Sequence, residues 1–93
     1  MMRKIEKQML DAINNRSNWR LDNTSVQPID DVNSAVYLHG NEIATVNSRT
    51  GLVMVNTQTL ARWQTPTTKS RLRALGANVC TRKGVTYLDN IAI

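Results

Sequence analysis

Ser34-Ala35-Val36-Tyr37-Leu38-His39-Gly40-Asn41-Glu42-Ile43-Ala44-Thr45-Val46 is the stretch on which the fold turns. Val36 and Leu38 alternate onto one face of a strand over Ser34–Leu38. His39-Gly40-Asn41 is a tight turn signal, and Glu42–Val46 is the returning strand. Strict alternation puts Ile43 on the face opposite Ala44 and Val46. Asn47-Ser48-Arg49-Thr50-Gly51 is a second turn, and Leu52-Val53-Met54-Val55 a third, apolar strand. Three consecutive strands with short turns predict an antiparallel meander.

Upstream, Met2, Ile5, Met9, Ala12 and Ile13 recur at helical steps, with Arg3, Lys4, Glu6, Lys7, Gln8 and Asp11 between them. The spacing predicts an amphipathic helix from about residue 2 to 15, ended by the polar run 14–18. Residues 16–34 read as a connection with one short extended piece near Thr24–Val26, and Trp19 as packing on the domain. The Asp30-Asp31 pair after Pro28 reads as a turn. Downstream, Thr57 or Thr59 is placed to cap a short helical turn through Leu60-Ala61-Arg62-Trp63. Thr65-Pro66 sets a capping hydroxyl before a proline at the first helical position, and Lys69–Leu75 continues as helix to Gly76. Leu72 and Leu75 then face the core, with Lys69 and Arg73 on one solvent-reaching flank and Arg71 on the other. Val79–Lys83 and Val85–Leu88 form a second hairpin through Lys83-Gly84, and Ile91-Ala92-Ile93 adds to sheet or core. The reading is a single α+β domain over residues 1–93, an antiparallel sheet with two helices in the order α-β-β-β-α-β-β. The α-β-β-β-α portion resembles the element order of double-stranded-RNA-binding domains in topology alone.

A chain of 93 residues with 41% hydrophobic side chains supports one small core, and aromatics at 4% with no Phe make that core aliphatic. No apolar run nears the roughly 18 residues of a membrane helix. The first residues are basic without a following apolar segment, so no secretory leader is expected. One cysteine, Cys80, and one histidine, His39, exclude an internal disulfide and a zinc finger. Cys80 reads as a small buried side chain within Ala77-Asn78-Val79-Cys80. His39 reads as an exposed loop-tip residue. No phosphate-loop, dinucleotide, nucleophile-elbow or metalloprotease motif is present, so no cofactor and no enzyme are expected.

Charge placement is more informative than the net +5. Residues 1–46 carry five basic and six acidic side chains; residues 47–93 carry seven basic ones against Asp89 alone. Five of those seven are arginine, whose planar fork suits phosphate and carboxylate. Such asymmetry points to a polyanionic partner or to a solubilising surface. The start of the second helix unites backbone donors, the dipole and the hydroxyls of Thr65, Thr67, Thr68 and Ser70 with Lys69, Arg71 and Arg73. Arg62 lies just upstream, and Arg82 and Lys83 approach through the second hairpin. Trp63 beside them reads as a packing residue or as a platform for a base. The expected nucleic-acid-binding set is therefore Arg62, Trp63, Thr67, Lys69, Arg71, Arg73, Arg82 and Lys83.

Two runs carry a resemblance. Tyr37-Leu38-His39-Gly40-Asn41-Glu42-Ile43-Ala44 resembles a YLHGNxIA element. Trp63-Gln64-Thr65-Pro66-Thr67-Thr68-Lys69-Ser70-Arg71-Leu72-Arg73-Ala74-Leu75 resembles a W-x-T-x-T-T-K-S-R-L-N-A-L element, with Arg73 where the element has Asn. Both elements belong to a family of small proteins of tailed bacteriophages. With Met2-Arg3-Lys4-Ile5-Glu6, the likeness covers most of the chain. It implies a viral source and action in the host bacterial cytoplasm, on host machinery or phage DNA. The functional expectation is a phage accessory protein that binds nucleic acid, DNA first, through phosphates. The alternative is a modulator or inhibitor docking on an acidic surface of a host bacterial enzyme or complex. Exposed sheet edges add a homodimer to the expected partners.

Overall fold

In the computed structural model, which describes residues 3–93, the first helix α1 spans Lys4–Asn15. The expected role of Met2 lies outside the described residues. The Arg3 backbone N–H donates to Glu6 Oε1 at 3.2 Å and so closes the helix start. Arg16 takes the left-handed conformation (φ 51°) and ends the helix, its N–H and that of Ser17 donating to Ile13 and Ala12 carbonyls.

The segment expected as a connection is a hairpin. β1 (Trp19–Leu21) pairs with β2 (Thr24–Pro28), and β2 in turn pairs with β3 (Asn33–Leu38). Trp19 lies opposite Val26 and packs against the core, so the strand needs little length of its own to be held. β4 (Asn41–Asn47) and β5 (Val53–Val55) complete a five-stranded antiparallel meander in the order β1-β2-β3-β4-β5. The two strands ahead of β3 break the element order shared with double-stranded-RNA-binding domains. Between Leu38 and Asn41, both His39 (φ 53°) and Gly40 (φ 78°) take positive φ, as the tight turn matching strand twist requires.

Ile43 does not lie opposite Ala44 and Val46. Val36 pairs with Ala44 and Tyr37 with Glu42, which leaves Ile43 as the extra residue of a β-bulge. The bulge resets the alternation, and Ile43, Ala44 and Val46 are all buried. The freed Ile43 carbonyl accepts the Asn56 N–H at 2.8 Å, which fixes the entry into α2. α2 (Thr57–Arg62) is capped by Asn56, whose side chain accepts the Thr59 N–H at 3.1 Å, rather than by Thr57 or Thr59. α3 (Pro66–Leu75) starts at Thr65 and stops at Gly76 (φ 106°) as expected.

The second half builds its own small sheet: β6 (Val79–Arg82), β7 (Val85–Leu88) and β8 (Ile91–Ala92), antiparallel in that order. The apolar tail joins sheet rather than core: Ile91 is 68% exposed, and the Ile93 N–H donates to Thr86. α1 and α3 pack on each other, α1 against β2 and α3 against β4 and β6. The core among them is aliphatic, with Met9, Ile13, Val26, Val36, Ile43, Leu60 and Leu72 fully or almost fully buried. A Cα radius of gyration of 12.5 Å is that of one compact α+β domain.

Candidate functional site

The eight residues expected to contact an anion divide into three groups. Arg71 forms the first by itself, and here the expectation fails. On α3, Thr68, Arg71, Leu72 and Leu75 follow the i, i+3, i+4, i+7 spacing of a buried stripe, and all four are buried. Arg71 is 4% exposed. Its Nη1 meets Glu6 Oε2 at 2.8 Å and its Nε donates to Thr24 Oγ1 at 3.0 Å. Glu6, one of the polar residues between the apolar positions of α1, is 3% exposed. Ser70 Oγ also donates to Glu6 Oε2, at 2.6 Å. The pair neutralises itself between α1, α3 and β2. Burial alone raises the Glu6 pKa; hydrogen bonds from Ser70, Arg71 and the Arg3 N–H, with the Arg71 charge, outweigh it and hold the carboxyl below its ordinary range. Arg71 is structural and leaves the site.

The hydroxyl cradle at the start of α3 is largely used up as well. Thr65 Oγ1 accepts the Thr68 N–H at 3.2 Å and shares a 2.9 Å hydrogen bond with Thr68 Oγ1. With Ser70 committed to Glu6, three of the four expected hydroxyls serve the fold.

The second group is cationic; Lys69 and Arg73 lie on the flank of α3 that faces β6, whereas Arg82 alternates with Thr81 and so lies on the opposite face of the small sheet, against the expectation that it approaches the helix start. β6 and β7 are tied to this flank of α3. Lys69 Nζ donates to Thr81 Oγ1 at 2.5 Å, and Arg73 Nη1 to the Val79 carbonyl at 3.3 Å. Thr86, opposite Thr81 in the hairpin, donates to Gln64 Oε1 at 3.1 Å. Arg82 lies over the Tyr87 ring at 4.3 Å, and its Nη2 meets Asn90 Oδ1 at 3.3 Å. Lys83 (φ 49°) and Gly84 form the exposed hairpin tip. Arg62, the exposed last residue of α2, precedes the Trp63-Gln64-Thr65 junction. Among the described residues the one ion pair is Arg71 with Glu6, so Arg62, Lys69, Arg73, Arg82 and Lys83 face no carboxylate within 4.0 Å. Cys80, on β6, is half-buried rather than buried, because its side chain points away from that of Val79.

Trp63 and Thr67 form the third group. Trp63 is 51% exposed. With Thr67 it lines a cavity of about 410 Å³ between the β3–β4 turn and the α2–α3 junction. Leu38, His39, Asn41, Ile43, Thr59, Thr65 and Thr68 complete the wall. Sequence reasoning missed Leu38, Asn41, Ile43 and Thr59; the bulge that turns Ile43 inward left no mark in the period-2 pattern. His39 is exposed at the turn as expected. No group of three or more His, Cys, Asp or Glu side chains gathers among the described residues. No helix among them is long and apolar enough to cross a membrane.

Fold and surface together define a small α+β protein with five cations of its second half unpaired among the described residues and a cavity walled in part by Trp63. The family described as Kyanoviridae Gp96 protein matches residues 2–92, and the chain belongs to that family of tailed-phage proteins. It is a viral protein made in the infected host cell. No curated protein and no solved structure matches this chain.

Proposed function

We propose that this phage protein binds nucleic acid, DNA first, in the cytoplasm of the infected bacterium. Its contacts are to phosphates, from Arg62, Lys69, Arg73, Arg82 and Lys83. The observation that carries the reading is that these five cations of the second half have no carboxylate partner among the described residues, and that Lys69 and Arg73 both reach β6 from one flank of α3. Lys69 and Arg73 are braced on β6, and Arg82 on Tyr87, so part of their side-chain entropy is already lost before an anion arrives. The start of α3 contributes Thr67 at most. Arg71 contributes the position of the helix and no contact.

Electrophoretic mobility shifts with DNA and RNA in rising salt test this. Five contacts give a log–log salt slope of roughly −3 to −5. Replacing Arg82 and Lys83 by Ala lowers the slope by about 2 and leaves the melting temperature nearly unchanged. An unchanged slope in a folded R82A/K83A protein removes the hairpin from the site.

One observation favours a second reading, docking on an acidic protein. Val85 (40% exposed) and Ile91 (68%) lie on the same small sheet as Arg82. A partner captured in stoichiometric amount from nuclease-treated bacterial lysate, together with absent mobility shifts, selects that reading.

A further inference from the structure

We infer that the cavity walled by Trp63 holds one unstacked base of a single-stranded nucleic acid while the cationic flank holds its phosphates. This inference rests on the nucleic-acid reading above.

The cavity has the size and make-up of a ligand site. Its volume of about 410 Å³ falls within the roughly 300–1,000 Å³ of such sites. Leu38, Ile43 and Trp63 supply apolar wall. Asn41, Thr59 and Thr67 supply a carboxamide and hydroxyls, which donate and accept neutral hydrogen bonds. No carboxylate, lysine or arginine lines it, and His39 is its one titratable side chain. That lining suits a neutral heteroaromatic ring and offers little to a phosphate. The cations lie outside it, where a backbone would run.

The backbone of Trp63 is held in place on both sides. Its N–H donates to the Thr59 carbonyl at 2.9 Å, and Thr65 caps α3 two residues on. Its half-exposure therefore belongs to a backbone junction fixed at both ends. The next residue, Gln64, accepts from Thr86 of the hairpin that carries Arg82 and Lys83. Arg62 directly precedes Trp63, and Lys69 directly follows Thr67 and Thr68 of the cavity wall, so one strand can reach both the cavity and a cation. In a duplex the faces of the bases are covered by stacking; an unpaired base can be turned out onto an aromatic ring.

The test compares a short oligothymidylate, its abasic counterpart of equal phosphate count, and the matching duplex. Binding is followed by mobility shift and by Trp63 emission in a Trp19→Phe background. The base-bearing single strand is expected to bind about ten-fold more tightly than the abasic strand. It alone is expected to change the emission. Thr67→Phe, which fills the cavity from its rim, is expected to bring base-bearing affinity down to the abasic level. Equal binding of base-bearing and abasic strands overturns the cavity assignment and leaves the cationic flank standing. Absence of binding by all three at low salt overturns both. The ligand-side comparison needs no variant, so it decides even where Thr67→Phe does not fold.

Discussion

Glu6 and Arg71 stand 65 residues apart in the chain and meet at 2.8 Å in the core. Removing one partner strands the other charge without solvent, a loss of about 3–5 kcal/mol. That is a large share of the roughly 5–15 kcal/mol that holds a domain of this size together. Arg71→Ala is therefore expected to lower the urea midpoint severely, and Arg71→Lys to recover little, because Lys cannot reach Glu6 and Thr24 as one fork. The pH dependence has a definite sign. The folded Glu6 carboxyl ionises below its ordinary range, so the folded state holds fewer protons than the unfolded one through that window. Its contribution is complete above the ordinary Glu value of about 4.3 and drains away as pH falls through the lowered folded value. Asp30, lowered by hydrogen bonds from the Asn33 side chain and the Val32 and Asn33 N–H groups, acts in the same direction at the surface. Glu6→Gln is expected to flatten the acid limb of the urea midpoint against pH; parallel limbs in variant and parent exclude this account. The spacing of both residues was readable: Glu6 precedes Met9 by three, and Arg71 follows Thr68 by three. What the pattern did not say is that each stripe's charged residue faces the other's.

At the scale of elements, the caps decide boundaries that propensity leaves open. Thr65 before Pro66 announced α3 correctly, and its hydroxyl accepts the Thr68 N–H. Thr65→Ala is expected to lower the unfolding free energy by about 1 kcal/mol, with Thr65→Ser restoring most of it. Chemical denaturation reads both. α2 was harder, because a helix of six residues has almost no periodicity to display. It exists because Asn56 is anchored on the Ile43 carbonyl and because Leu60, fully buried, has a core to enter. β1 was missed for the same reason. Three residues make no pattern, and their pairing with β2 is what makes them a strand.

Over the whole molecule, the two sheets are unequally buried. The five-stranded sheet contributes Val26, Val36, Ala44 and Val46 to the core, whereas the three-stranded one contributes Val79 and the buried Thr86. Amides of β6–β7 are therefore expected to exchange at a lower opening free energy than those of β3–β4 in native-state hydrogen exchange. Added nucleic acid is expected to slow exchange in the hairpin most. Equal protection of both sheets in the free protein contradicts this division. The amino-acid order alone determined the long amphipathic helix, the His39-Gly40 and Lys83-Gly84 hairpins, the capped second long helix and the excess of cations after residue 46. These features are local, set by neighbours a few residues apart. Tertiary structure alone decided that the tail and second hairpin form a separate sheet, that Ile43 turns inward at a bulge, and that Arg71 is cancelled by Glu6. It also decided that Trp63 stands half-exposed on the wall of a cavity. Each of these depends on which distant surface a side chain meets, and burial, charge pairing and exposure come into being only when the elements pack.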